Sequence, residues 1–153
     1  MTDALIVLKV EHRKMHRLFD GIRESTTGEN RQSLCNALKH QLSMHTWNEE
    51  SVFYPSFTGY QEFSKLLKEA YRNQRKIQEF MIEFEIASGP EKYGSKLDQL
   101  LRVTENHMRF QEHEFFPLVS RVLNHSRQIQ LGELLIAARK QAELDLIQES
   151  KAA

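Results

Sequence analysis

Residues 45–55 run HTWNEESVFYP, and residues 107–117 run HMRFQEHEFFP. The two stretches lie 62 positions apart and agree at the histidine, at Glu50 and Glu112, at Phe53 and Phe115, at the aromatic residue that follows, and at the proline. The same displacement carries His12 to Gln74, Met15 to Ile77, Phe19 to Met81 and Ile22 to Phe84. Self-similarity at a fixed register marks two copies of one supersecondary unit. What that unit is follows from the spacing of its apolar residues.

Leu5, Leu8, Met15, Phe19 and Ile22 step by threes and fours once His12 is counted into the row. Leu34, Leu38 and Leu42 lead into His45, Glu49 and Val52. Leu67, Ala70, Ile77, Met81 and Phe84 make a third stripe with Gln74 in its gap, and Leu97, Leu100 and Thr104 lead into His107, Gln111 and Leu118. These are helical periods, and no sustained alternation suggests a strand. Breaks are expected where Gly, Pro and small polar residues cluster, at ESTTGEN (24–30), PSFTGY (55–60), ASGPEKYG (87–94) and NHS (124–126). The expected fold is therefore all-α: an up-down bundle of four helices, each roughly 20 to 30 residues long, with an additional C-terminal helix. One domain is expected over 1–153, with the bundle over about 3–123 and the last helix over about 127–149.

His45 and Glu49 are four apart, so they share one helix face, and that face is the apolar one. His12, Gln74, His107 and Gln111 also sit in core rows. Burying unpaired polar groups costs a few kcal/mol each. They are expected to converge on one another or on an ion.

Composition narrows the classes. Lys plus Arg and Asp plus Glu both total 21, so the net charge is near zero and no basic stripe suggests nucleic acid. The single Cys35 has no partner for an internal disulfide and belongs to no thiolate metal motif, which points to a reducing cytoplasm. No run approaches the roughly 18 to 20 apolar residues that span a bilayer. The N-terminal MTDALIVLKV lacks the pattern of a signal peptide. Neither a catalytic triad nor a phosphate-binding Gly loop is present, so binding rather than catalysis is the expectation.

The two copies of a helix pair, with His on the first helix and His-x-x-x-Glu-Glu running to an aromatic-Pro end on the second, resemble the hemerythrin-like (HHE cation-binding) family over about residues 3–123. The resemblance implies a non-haem di-iron centre in the bundle core and roles in dioxygen or nitric-oxide binding, sensing, or metal storage. Carried over residue by residue, it implies metal ligation by His12, His45, Glu49 and His107. Two positions depart from the pattern. Gln74 stands where a His is expected and Gln111 where the second bridging carboxylate is expected.

The surviving three imidazoles and one carboxylate suit a single first-row divalent ion, iron or another, better than two. Glu112, His16 and His113 are nearby substitutes, in that order of promise. The competing expectation is a bundle that has lost its metal, in which the glutamines pair with the former ligands and the scaffold serves as an interaction or regulatory module. Phe53, Tyr54, Phe115 and Phe116 read as hairpin-end packing. Pro55 and Pro117 are expected to end or kink their helices. Glu50 and Glu112, next to the inward stripe, are either acceptors for ligating imidazoles or solvent-side charges. Leu131, Leu134, Leu135 and Ala138 form the apolar face of the last helix. That face packs on its own bundle or, alternatively, forms a homodimer interface.

Overall fold

A computed structural model describes residues 2–87 and 90–152, apart from the side chains of Pro90 and Glu91. Every regular element among them is helical: α1 (Ala4–Glu24), α2 (Gly28–Asn48), α3 (Ser64–Ile86), α4 (Pro90–Phe110), α5 (Phe116–Val122) and α6 (His125–Ala152). The last helix is thus longer at both ends than the expected 127–149. The break expected over 87–94 includes Ser88 and Gly89, which lie outside the described residues. By packing, the chain divides into two compact units, residues 58–119 and the remainder.

In the first unit, α1, α2 and α6 pack on one another. The starts of all three are fixed locally. The Asp3 carboxylate accepts from the Ile6 N–H at 3.0 Å, the Thr27 hydroxyl accepts from the Asn30 N–H at 3.2 Å, and the Asn124 side chain accepts from the Arg127 N–H at 3.0 Å. Each satisfies a backbone donor that a helix start leaves open. The stripe Leu5, Leu8, Met15, Phe19 and Ile22 is buried, as are Leu38 and Leu42 of α2, whereas Leu34 is half-buried.

α6 docks through Leu131, Gly132 and Leu135 rather than through the whole expected face, since Leu134 is 59% exposed. Gly132 meets the start of α1 so closely that a Cβ there would lie 2.1 Å from the Thr2 carbonyl oxygen. Only the residue without a side chain lets the two backbones approach like this. The buried Asn48 amide donates to the Leu135 carbonyl at 3.0 Å and ties α2 to α6 as well.

In the second unit, α3 packs on α4. Leu67, Ala70, Ile77, Phe84, Leu97 and Leu100 are buried on these two helices, while Met81 is only half-buried. Phe63 meets Phe115 with ring centroids 5.2 Å apart at one end of the pair.

The sequence repeat has a structural counterpart. α2 runs on into a π-helical turn at Glu49–Phe53, and α4 into another at Gln111–Phe115, which is again a displacement of 62. The Tyr54 N–H reaches back five residues to the Glu49 carbonyl, and the Phe116 N–H does the same to that of Gln111. Each wide turn therefore begins at the position where the HHE pattern places its carboxylate. Such turns are rare and gather at functional sites. Past the first turn, Pro55 sits in a tight 3-10 turn (Tyr54–Phe57). Pro117 does not end its helix. It is the second residue of α5, where the missing N–H is tolerated.

Candidate metal centre

The first unit brings three of the four expected ligands together. His12 of α1 is 1% exposed, His45 of α2 is 3% exposed, and Glu49 at the π turn is wholly buried. One ligating atom from each lies within 4.8 Å of the others. The rings of His12 and His45 meet edge-on with centroids 5.1 Å apart. The fourth, His107, is buried on α4 of the second unit and stacks against Phe110 at 6.3 Å. Gln74 and Gln111 are buried in that unit too. Of the nearby substitutes, His16 and His113 are exposed and Glu112 is half-buried.

Around His45 the contacts explain the burial. Nδ1 lies 2.6 Å from Glu11 Oε2, and Nε2 lies 3.1 Å from Glu49 Oε1. The first contact is a short, charge-assisted hydrogen bond. The second is close but poorly aligned, and Nε2 makes no hydrogen bond of good geometry. The other Glu49 oxygen accepts from the Tyr54 hydroxyl at 3.3 Å. Burial alone would hold the imidazole pKa down, but the facing carboxylates of Glu49 and Glu11 outweigh it and push it up to about 10. In the metal-free protein the ring is therefore cationic.

A divalent cation fits this arrangement. If Nε2 gives up its proton while Nδ1–H stays on Glu11, its lone pair faces an anionic oxygen, and two such acceptors 3.1 Å apart need a cation between them. A misaligned proton fills that need poorly. Two ligand atoms each about 2.1 Å from one ion and at right angles are about 3 Å apart, which matches this edge. Imidazole nitrogen with carboxylate oxygen is a donor set that first-row divalent metals take.

Three residues of the centre escaped the sequence pattern. Glu11 is only 4% exposed and accepts from Arg139 of α6 at 2.7 Å through its second oxygen. Burial raises its carboxyl pKa, but the bonds to His45 and Arg139 outweigh this and hold it below the usual range. A signal for Glu11 existed, because it stands three after Leu8 and four before Met15 and so flanks the inward row. Tyr54 looked like packing and is instead also a donor to Glu49. Arg139 carried no signal, since its partner is 128 residues away. Glu50, weighed as an orienting acceptor, is exposed, and it is Glu11 that bonds the His45 ring. Desolvation and then the charge of Glu49 raise the Glu50 pKa.

The second unit repeats these positions with neutral residues. Asn73 stands for Glu11, Gln74 for His12, Gln111 for Glu49 and Phe116 for Tyr54. Among the counterparts of the cluster only His107 keeps its ligand type. The charge of the repeat pattern is concentrated in the first unit.

The sequence profile of the hemerythrin HHE cation binding domain matches residues 3–119. A solved hemerythrin HHE cation binding domain-containing protein from Mycobacterium kansasii superposes with a TM-score of 0.86 at 23% identity, covering 99% of this chain and 93% of that one. No curated protein matches the chain. The chain belongs to the hemerythrin HHE cation-binding family, with an all-α bundle fold carrying an additional C-terminal helix.

Proposed function

We propose, from that membership and from the His12–His45–Glu49 cluster, that the protein holds a single divalent metal ion, iron by preference, in its first unit. The misaligned approach of His45 Nε2 to Glu49 Oε1 at 3.1 Å carries the proposal, because it leaves two buried ligand atoms facing one another where a cation belongs. His12 and His45 supply imidazole nitrogens, and Glu49 supplies the anionic oxygen that offsets metal charge. His107, expected as a fourth ligand, belongs to α4 of the second unit and is left out of this site. The neutral residues at 73, 74, 111 and 116 support one ion rather than two.

A non-haem ferrous ion supplies reversible binding of small diatomic molecules such as dioxygen or nitric oxide, and on that basis the protein acts in gas or metal sensing, binding or storage. The protein residues hold and shield the ion. Glu11 keeps the Nδ1 proton of His45 engaged, Tyr54 steadies Glu49, and the buried Phe53 ring packs on Tyr54 with centroids 5.6 Å apart. No helix among the described residues is long and apolar enough to cross a membrane.

A second reading rests on Gln74 and Gln111, which are 1% and 0% exposed. Buried neutral amides at ligand positions also suit a scaffold that has given up metal for protein interaction. A thermal melt separates the two. Metal bound only by the folded state raises the Tm with concentration, so ferrous ion added anaerobically raises it, chelator reverses the rise, and Glu49→Gln abolishes it. A Tm indifferent to both additions would favour the metal-free scaffold.

A further inference from the structure

Arg139 is the one cationic side chain of α6 that reaches the inner carboxylate of the centre. Its two terminal nitrogens are both engaged, one with Glu11 Oε1 at 2.7 Å and the other with Gln41 Oε1 at 2.8 Å. Its Nε lies 3.3 Å from Glu143 Oε1, which is itself 3.5 Å from His40 Nε2. The guanidinium is thus spread across α1, α2 and α6 in a planar fork that a lysine could not reproduce. Glu11 in turn divides its two oxygens between Arg139 and His45. One continuous chain of charge-assisted bonds runs from the last helix, through a single carboxylate, to the imidazole nitrogen opposite the one that faces Glu49.

This chain has only one obvious setting. With Arg139 in place, Glu11 cannot swing away from His45 without breaking an ion pair that is largely out of water, and removing one partner of such a pair is costly. With α6 displaced, Glu11 loses its cation and is free to change rotamer, and the His45 ring loses the bond that fixes its tautomer. The anchor points of α6 lie one to two turns away on the same face: Gly132 against the α1 backbone and the Leu135 carbonyl on Asn48. Beside Arg139, a groove of about 330 Å³ lined by Val7, Val10, Leu135 and Ile136 opens to the outside at the Glu11–Arg139 pair.

We propose that Arg139 is a positioning residue through which α6 and the metal centre control one another: docked α6 tightens metal binding by holding Glu11 on His45, and bound metal tightens the docking of α6. The coupling must be reciprocal, since both events draw on the same bonds. It rests on the metal reading given above.

The test uses cobalt(II) as the probe, whose visible bands report the ligand field, on the full-length protein, Arg139→Met and Arg139→Lys. Met keeps the apolar stem and removes the fork, while Lys keeps the charge. The expected result is a cobalt affinity at least about ten-fold lower in Arg139→Met, in line with the loss of an outer partner of a ligating His. Altered bands should accompany it, and Arg139→Lys should recover part of both. In the wild type, hydrogen exchange of the α6 amides slows when cobalt is added, a measurement that needs no substitution. Wild-type affinity and spectrum in a folded Arg139→Met, or α6 exchange unmoved by cobalt in a wild type that binds it, would overturn the coupling and leave the metal reading standing. A wild type that takes up no cobalt and no ferrous ion would remove the metal reading and the coupling with it.

Discussion

Glu11 Oε2 lies 2.6 Å from His45 Nδ1, and that contact turns the other ring nitrogen toward Glu49. On the proposed metal reading, a carboxylate one residue before His12 on α1 thereby sets what a histidine on α2 offers the ion. Glu11→Gln keeps the shape and removes the anion, so the bond to Nδ1 weakens and the partner of Arg139 is lost. Metal affinity is expected to fall about ten- to a hundred-fold, as for other outer partners of ligating histidines. Competition with a chelator of known affinity measures it, and an unchanged affinity would show that the tautomer needs no such help.

The pH dependence of the metal-free protein has a defined sign. The His45 pKa is raised to about 10 from an ordinary 6.5. The protonated ring is favoured by folding, so its contribution is fully present below about pH 6.5 and is lost as pH rises through about 10. With chelator present, the Tm is expected to decline steadily between neutrality and pH 10. With metal on Nε2 the decline should flatten, because the ion replaces the proton. Superimposable Tm–pH curves with and without metal would contradict this.

Two glycines make a matched pair for stability. A Cβ at Gly132 would meet the Thr2 carbonyl oxygen at 2.1 Å and Ala4 N at 2.8 Å, both backbone atoms that cannot rotate away. Gly132→Ala is expected to destabilise by about 3 kcal/mol, the upper end for overpacking. At Gly94, inside α4, a Cβ meets nothing within 4 Å. Gly94→Ala is expected to stabilise by about 0.5 to 1 kcal/mol through the unfolded chain. Denaturant melts of the two variants give both values.

The second unit offers a test of why its residues depart from the repeat. Gln74→His with Gln111→Glu, beside the native His107, recreates there the set His12, His45 and Glu49. The double variant is expected to bind one more ion per chain than the wild type. Unchanged stoichiometry would mean that Asn73 and Phe116, in place of Glu11 and Tyr54, matter as much as the ligands themselves.

Much of the fold was legible because it rests on local pattern. The rows through Leu8, Met15 and Phe19 and through Leu38 and Leu42 are buried as their spacing requires. The gapless repeat located both hairpins and the two carboxylate positions. The π turns were not legible, since each adds a single residue to one turn and the helical row is followed by only a few more residues before the proline. The inward placement of His12, His45 and Glu49 was legible, because they stand as polar residues in apolar rows. Arg139 was not, because its bond to Glu11 is a property of how α6 lies on α1, set by Gly132 and Leu135. Leu134 lies outside the docked part of its stripe for the same reason: a helix shows its period in sequence, but its neighbour decides which residues along the stripe it covers.

The most direct test of the central claim is metal analysis of the purified protein after anaerobic ferrous loading and desalting, with His45→Ala alongside. The account predicts a single metal ion per chain in the wild type and none in the variant. No retained metal in the wild type, or equal metal in both proteins, would contradict it.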